Sequence, residues 1–237
     1  MNNANVCSKN VIVDYRTNQE TIQNLSSLGF NVIKSKKIDT LYEAIKGHTD
    51  LQIVKIKDDI VVCPECYEYY KSKNLNNLIC GSSELDGQYP GDVLYNVAAF
   101  GKFAVHNFRF TDSVLRECIK KNFLFEIRVN QGYSKCSICI ITDSAVITED
   151  DSIAKKLSEQ NIDVLKIEKG SVELKGLNYG FFGGATGLWN NTLFINGELK
   201  YHTDGDNIKS FCKKHKVSII ELKSGRISDI GSILFGI

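Results

Sequence analysis

The sequence is poor in proline, tryptophan and methionine, and neither sign of charge is in excess. Only two of its 237 residues are proline, which argues against linkers, so we predict a single domain over residues 1–237. Lysine and arginine total 29, aspartate and glutamate total 28, and the two signs interleave along the chain. No basic face is therefore available for nucleic acids or anionic membranes, and we expect neither as a partner.

Long apolar runs are also missing. The N-terminal segment, MNNANVCSKN, lacks the apolar core of a secretion signal, and no stretch approaches the roughly 20 apolar residues that span a bilayer. We therefore expect a cytoplasmic protein. In that reducing compartment the eight cysteines stay free thiols unless they bind metal or do chemistry, and we predict no cofactor and no bound metal.

An internal repeat is the clearest positive feature. Strand-like runs flank tight turns, and each pair is followed by a stretch with helical spacing and another strand, at intervals of roughly forty to fifty residues. The predicted hairpin turns are Asp58-Asp59, Phe100-Gly101, Thr142-Asp143 and Asn196-Gly197. The predicted helices that follow them are ECYEYYKSKN, TDSVLRECIKK, DDSIAKKLSEQ and DGDNIKSFCKKHK.

A fifth copy of the repeat is divided between the two ends of the chain. ISDIGSILFGI supplies its first strand, residues 10–14 its second, and TNQETIQNLSSLG and FNVIKSKKI its helix and closing strand. The units are about 47–85, 89–130, 131–174, 181–225, and 227–237 together with 10–38. We predict an α/β fold, a five-bladed ββαβ propeller with pseudo-five-fold symmetry, in which the terminal segments share one blade and close the ring. An open α/β sheet is the alternative.

Candidate chemistry lies in the segments that lead into the first strand of each unit, because such segments converge on the axis of a ring. His48 is followed two residues later by Asp50, and on a strand two such residues share a face. A carboxylate beside an imidazole predicts an acid or base that acts near neutral pH. The alternative is a polar contact buried in the core.

Cys136 is the candidate nucleophile. It stands at the start of a predicted strand, beside Lys135 and after a glycine-containing turn, a setting that favours a thiolate. Four other cysteines fall in apolar strand or helix patterns, where a small buried side chain is expected: Cys80, Cys118, Cys139 and Cys212. Cys7 is expected in a loose terminus.

Two C-x-x-C spacings, Cys63 to Cys66 and Cys136 to Cys139, raise the alternative of a four-cysteine zinc site or a redox dithiol at CPEC. Residues three apart on a strand point to opposite faces, however, so Cys136 and Cys139 are poorly placed to share one metal ion.

Five hairpin–helix–strand units around a polar centre, with His-x-Asp and Gly-x-x-x-Cys segments, resemble the pentein fold of the guanidine-modifying enzymes. That superfamily includes arginine and agmatine deiminases, dimethylarginine dimethylaminohydrolase, and a non-enzymatic ribosome anti-association factor. Read cyclically, the unit after His48 holds Asp92 and the next one holds Cys136, which is the family's separation of histidine and cysteine. The order resembles a circular permutation of the bacterial-type enzymes. Segment 183–185 lacks the expected guanidinium-binding acid, whereas Asp229 keeps one in the following unit.

The resemblance implies a cysteine-dependent hydrolase or amidinotransferase that acts on a small guanidino or amidino compound through a covalent Cys136 intermediate. His48 would move the protons, while Asp50 and Asp229 would hold the planar cation. Further candidate substrate-binding residues are Asp92, Asn96 and Tyr133. The alternative is a non-catalytic pentein that binds a protein, ribosomal or small-molecule partner. The sequence leaves the oligomeric state open.

Overall fold

A computed structural model describes residues 9–237 of the protein, so Cys7 lies outside the described residues. In chain order the elements are β1 (Asn10–Val13), α1 (Gln19–Ser27), β2 (Asn31–Lys34), α2 (Thr49–Gln52), β3 (Ile53–Ile56), β4 (Asp59–Val62), α3 (Pro64–Lys71), β5 (Leu78–Cys80), β6 (Ala98–Phe100), β7 (Phe103–His106), α4 (Ser113–Lys121), β8 (Phe125–Arg128), α5 (Ser134–Ser137), β9 (Ile138–Thr142), β10 (Ala145–Thr148), α6 (Asp151–Ser158), β11 (Asp163–Lys166), β12 (Thr186–Trp189), β13 (Thr192–Ile195), α7 (Gly205–Lys214), β14 (Ser218–Glu221) and β15 (Leu234–Phe235). Two short 3-10 helices, Gly183–Ala185 and Leu199–Tyr201, complete the set within this part of the chain.

The strands form five separate three-stranded sheets, with the orders β15-β1-β2, β3-β4-β5, β6-β7-β8, β9-β10-β11 and β12-β13-β14. In each sheet the first two strands are antiparallel and the third runs parallel to the second. In the β3-β4-β5 sheet, Ile53 lies opposite Val62 and Val62 opposite Cys80. The parallel step is made through a helix, which is the usual way to join parallel neighbours.

Burial changes across each sheet in a regular way. The middle strands carry near-continuous apolar runs and are covered on both faces, as Val61, Val105 and Val146 illustrate. The third strands are less covered: β2 and β8 bury one residue each, and β5, β11 and β14 bury none. The helices turn one apolar face inward, and Leu115 of α4 packs in the same core cluster as Val61. Asp112 caps α4 by accepting a hydrogen bond from the backbone N–H of Leu115 (3.0 Å).

The first and last strands of the described chain share one sheet, as predicted. Val11 of β1 lies opposite Phe235 of β15 in the antiparallel pair, and Ile12 lies beside Ile33 of β2 in the parallel pair. The Asn10 side chain also donates a hydrogen bond to the carbonyl of Ile237 (3.1 Å). The split fifth unit is therefore a structural fact of the sheet pairing.

The predicted hairpin at Asn196-Gly197 is wrong. The turn in this unit lies at Asn190 and Asn191, which have φ of 45° and 56° and join β12 to β13. Two neighbouring left-handed residues match the twist of a tight hairpin, and asparagine tolerates that region. Asn196 instead ties units together, because its side chain accepts from Thr21 Oγ1 (2.7 Å) and donates to the Ser228 carbonyl (2.8 Å).

Some of the segments that precede the first strands contact one another. Asp50 N donates to the Gly231 carbonyl (3.0 Å), and Lys135 N donates to the Asn96 carbonyl (3.2 Å). A cavity of about 270 Å³, the central cavity below, is lined by residues of β3, β6, β9, β12 and β15, the first strand of every sheet. No helix among residues 9–237 has the length and apolar character needed to cross a bilayer.

Candidate functional site

The candidate catalytic residues lie on short helical turns and not on strands. His48 immediately precedes the single-turn helix α2, which contains Asp50, and Cys136 lies in α5, directly before β9. The prediction that His48 and Asp50 share a strand face is therefore wrong in its geometry. The turns still bring the groups together, because one ligand atom from each of His48, Asp50 and Cys136 lies within 4.8 Å of the others.

The Cys136 thiol contacts the Asp50 carboxylate. Sγ lies 3.2 Å from Oδ1 and 3.1 Å from Oδ2, distances at which the thiol donates to the carboxylate. Ser232 Oγ also donates to Asp50 Oδ2 (2.6 Å), and Lys135 Nζ donates to Ser232 Oγ (2.8 Å). Lys135 thus acts on this pair through Ser232 and not by direct contact with the sulfur.

The expectation that Cys136 is a thiolate in the resting protein is wrong. Burial raises the pKa of the Cys136 thiol well above its ordinary value, and the neighbouring Asp50 and Asp229 carboxylates raise it further. Burial also raises the pKa of Asp50, although His48, Lys135 and the Ser232 hydrogen bond oppose the change. Two acids in contact share their protons as a pair, and the raised pKa of the thiol favours its neutral form near pH 7.

Asn96 fixes the position of Cys136. Its Oδ1 accepts hydrogen bonds from the backbone N–H groups of Lys135 (2.8 Å) and Cys136 (3.3 Å). Its Nδ2 donates to the Asp50 carbonyl (3.1 Å) and to Cys136 Sγ (3.4 Å). The fully buried amide therefore joins the segments of three units and uses both of its polar atoms.

His48 faces the second acid. Its Nε2 is 3.9 Å from Asp229 Oδ1 and has no hydrogen-bond partner among the described residues. Burial lowers the pKa of His48, so the imidazole is neutral near pH 7. Burial raises the pKa of Asp229 to about 6, against the opposing effect of N–H donors from Phe181 and Gly231, both at 2.9 Å.

Two glycines allow these groups to approach. A Cβ on Gly231, which has φ of +65°, would lie 2.3 Å from the His48 Cβ, and a Cβ on Gly184 would lie 2.2 Å from Asp229 Oδ1. Glycine is therefore required on steric grounds at both positions. Segment 183–185, which lacks an acid in the resemblance, serves here to make room for the Asp229 carboxylate.

One cavity of about 320 Å³, the substrate cavity below, collects most of the predicted residues. His48, Cys136, Tyr133 and Asp229 line it together. Asp50 lines the central cavity on the far side of Cys136 and meets the substrate cavity through the thiol contact. The Cys136 thiol therefore lies between the two cavities.

Asp92 and Asn96 do not line the substrate cavity in this arrangement. Asp92 Oδ2 accepts a hydrogen bond from the Tyr133 hydroxyl, and Tyr42 Oη lies 3.2 Å from Tyr133 Oη. Burial raises the pKa of Asp92. Asp92 contacts Tyr133 and Asn96 contacts Cys136, so each of them supports a side chain that lines the cavity. Substrate binding by either residue stays a prediction.

Sequence reasoning missed the walls of the substrate cavity and some of its buried polar groups. The unpredicted lining residues are Tyr42, Ile45, Gln131, Leu174, Leu177, Asn178, Tyr179 and Phe181. Most of them come from the loop between β11 and β12, which has no periodic pattern to mark it. Ser232 lies in the segment ISDIGSILFGI that was assigned to the fifth unit, and its hydroxyl could have marked it as a candidate polar group of the site. Glu149 is buried, and burial raises its pKa to about 7.

The four-cysteine zinc site is not formed. Cys139 packs in a different core cluster from Cys63 and Cys66. Burial raises the pKa of Cys63, and hydrogen bonding with Cys66 raises it further. Within residues 9–237, the one group of three or more potential metal ligands close enough to share an ion is that of His48, Asp50 and Cys136.

Comparison with solved structures places this fold among the penteins. A cysteine-to-serine mutant of DDAH from Pseudomonas aeruginosa, complexed with citrulline, superimposes with a TM-score of 0.56 and 6% identity over 90% of this chain and 91% of that one. Agmatine deiminase from C. jejuni gives a TM-score of 0.54 and 9% identity over 90% and 87% of the two chains. The amidinotransferase SxtG from Microseira wollei gives 0.53 and 10% over the same shares. The fold is thus that of the pentein superfamily.

Comparison of the sequence with family models gives a more specific assignment than the fold does. Residues 12–234 match the model of a family of unknown function (DUF6873), so the chain belongs to that family. No curated protein matches the sequence.

Proposed function

We propose that the protein is a cysteine-dependent enzyme that modifies a small guanidino or amidino compound by hydrolysis or amidino transfer. The observation that carries this proposal is the convergence of Cys136, His48 and Asp229 on one cavity, with the thiol in contact with Asp50. A nucleophile, a neutral imidazole and a carboxylate around one space, with a second carboxylate against the nucleophile, are the groups that attack on a planar cation requires. The structural neighbours, which include a deiminase and an amidinotransferase, act on groups of this kind.

The five units form a closed ring in this proposal, and the enzyme pattern is circularly permuted within it. Supporting the ring are the sheet shared by β15 and β1, and the central cavity that the first strands of all five sheets line. Further support comes from the hydrogen bond between Ile230 N and the Gly184 carbonyl (3.0 Å), which joins the last two segments. Because the two ends of the described chain are neighbours, such a permutation requires little change in the structure.

In the first half of the reaction, the cation pairs with Asp229 in the substrate cavity, with its central carbon against Cys136, while Asp50 contacts the thiol from the central cavity. Its charge offsets the repulsion between thiolate and carboxylates, so the pKa of the thiol falls on binding. The Sγ–carbon bond forms as the thiol proton passes to His48, one ring nitrogen of which lies within 4.8 Å of Sγ. The carbon–nitrogen bond then breaks as His48 gives that proton to the leaving nitrogen.

In the second half, the group left on Cys136 is removed. Water loses a proton to His48 Nε2 and attacks the same carbon, the Sγ–carbon bond breaks, and the sulfur takes the proton from His48. The released amine or ammonia takes up the remaining proton. In amidino transfer an amine replaces the water. His48 needs its uncommitted Nε2 for both steps, and this atom has no other partner among the described residues.

Turnover can be tested on a panel of guanidino and amidino compounds by following the release of ammonia, urea or amine. We expect at least one compound to be consumed by the native protein and none by Cys136→Ala. The matched control is Cys139→Ala, since Cys139 is equally buried, only three residues away, and does not line the cavity. Activity that survives in Cys136→Ala would refute the proposal, and a complete lack of turnover would favour a non-catalytic binding protein.

A further inference from the structure

The walls of the substrate cavity differ in character from its polar end. The polar end consists of His48, Cys136 and Asp229. Beyond it, the lining is aromatic, aliphatic or uncharged polar: Tyr42, Ile45, Gln131, Tyr133, Leu174, Leu177, Asn178, Tyr179 and Phe181. Asp229 is thus the one charged carboxyl in the lining, and the described lining residues include no lysine or arginine.

Two cationic side chains near this lining, Arg16 and Lys135, already donate hydrogen bonds to other groups. The Arg16 guanidinium donates to both Asp14 oxygens (2.9 and 2.6 Å) and to the carbonyl of Ala44 (3.0 Å). Lys135 lines the central cavity and donates to Ser232. A substrate carboxylate inside the substrate cavity would therefore lose its hydration without gaining a cationic partner, which is costly.

An adjoining groove offers little to an anion. It shares Leu174, Leu177, Asn178 and Asp229 with the substrate cavity and also contains Lys175, Arg226 and the Asp14-paired Arg16. Arg226 is paired with Glu173 at 3.8 Å, and Lys175 is exposed at the surface. Exposed pairs of this kind contribute little to binding.

The walls suit a planar or apolar body. The rings of Tyr133 and Phe181 have centroids 6.4 Å apart and planes inclined by 32°, and both line the cavity. At the rim, Leu177 is 49% exposed, Tyr179 39% and Tyr42 38%. Apolar side chains left in water around a polar cavity mark a surface that gains free energy when a ligand covers it.

Resting on the function proposed above, we propose that the substrate is a guanidinium or amidinium compound with an apolar body and no carboxylate. The cationic head pairs with Asp229 beside Cys136, and the body lies against Tyr133, Phe181 and Leu177. A free amino acid such as arginine is excluded by the uncharged walls, which offer its carboxylate no partner.

A matched pair of ligands tests the inference. Hexylguanidine and 6-guanidinohexanoate share the head and the six-carbon chain and differ in the terminal carboxylate. Their dissociation constants are measured by calorimetry on Cys136→Ser, which binds without turnover. We expect hexylguanidine to bind about tenfold more tightly or better, since an unpaired carboxylate near apolar walls costs more than about 1.4 kcal/mol. Equal affinity, or tighter binding of the acid, overturns the inference and leaves the guanidine chemistry standing, whereas no binding of either overturns both.

A variant with an added positive charge tests whether this wall of the cavity distinguishes the two ligands. Leu177→Arg in the same background adds a cation at a half-exposed wall position, with Leu177→Gln as the matched uncharged control. We expect the arginine variant to narrow the gap between the two ligands about threefold, as a partly exposed ion pair does, and the glutamine variant to leave it unchanged. An unchanged gap in both variants would show that charge at this wall does not decide selection, which would overturn the inference.

Discussion

Asp229→Asn gives the most informative pH experiment on the site. Burial raises the pKa of Asp229 to about 6, so its carboxylate is ionised at pH 8 and mostly protonated at pH 5. Asparagine keeps the shape and loses the charge. Charge-assisted hydrogen bonds to the guanidinium are worth about 2 to 3 kcal/mol, so at pH 8 the variant should bind hexylguanidine about 30- to 150-fold more weakly.

The sign of the pH dependence follows from the direction of the pKa shift. As the pH falls below 6, the native carboxylate takes up a proton and loses its advantage, about tenfold by pH 5, whereas the amide does not titrate. The ratio of the two dissociation constants should therefore shrink about tenfold between pH 8 and pH 5.

Calorimetric titrations on Cys136→Ser, with and without Asp229→Asn, supply these constants. Ser228→Ala is the control for local disturbance, because its hydroxyl contacts only the Arg226 carbonyl (3.4 Å) among the described residues. A ratio that stays constant from pH 5 to pH 8 would mean that Asp229 does not pair with the cation.

Three further outcomes are expected. Because burial raises the pKa of Glu149 to about 7, the ionisation of this residue lowers the stability of the native protein as the pH rises from about 4.5 to 7. Glu149→Gln should remove this loss and raise the free energy of unfolding at pH 8 by up to about 3 kcal/mol. Equal denaturation midpoints for the two proteins at pH 8 would contradict this prediction. Gly231→Ala places a Cβ against His48 and should lower the melting temperature by several degrees more than Gly176→Ala, whose φ is also positive (+92°) but whose Cβ meets nothing. Asn96→Ala takes a buried partner from the Cys136 N–H and from the Asp50 carbonyl and should cost about 2 kcal/mol in chemical denaturation, and a loss below about 0.5 kcal/mol would remove Asn96 from its positioning role.

The repeat and the split unit could be predicted because they depend on local patterns. Hairpin turns, helical spacing and apolar strands are encoded within a few residues, and three of the four predicted hairpins join paired strands. The Asn196-Gly197 hairpin failed because that dipeptide is a common hairpin turn, whereas its amide here is used by Thr21 and Ser228 from other units. A contact across the chain overrode a local preference.

The site could be predicted in its membership but not in its chemistry. His48 and Cys136 were predicted from the His-x-Asp and Gly-x-x-x-Cys segments and Asp229 from the resemblance to penteins, and the structure brings all three to one cavity. The state of Cys136 could not be read from Lys135 beside it, because in the fold Lys135 reaches Ser232 while the carboxylate of Asp50 reaches the sulfur. The pKa of a side chain depends on its burial and on the groups that it faces, and both are properties of the folded chain.

The most direct test of a cation site at Cys136 compares two alkylating reagents of the same shape. Chloroacetamidine carries the planar cation and chloroacetamide does not, and mass spectrometry of the intact and digested protein gives the rate at Cys136 for each. Because the thiol is buried and neutral at rest, we expect slow reaction with the amide, reaction with the amidine at least about tenfold faster, and loss of the difference in Asp229→Asn. Equal rates for the two reagents would contradict a guanidinium site at Cys136.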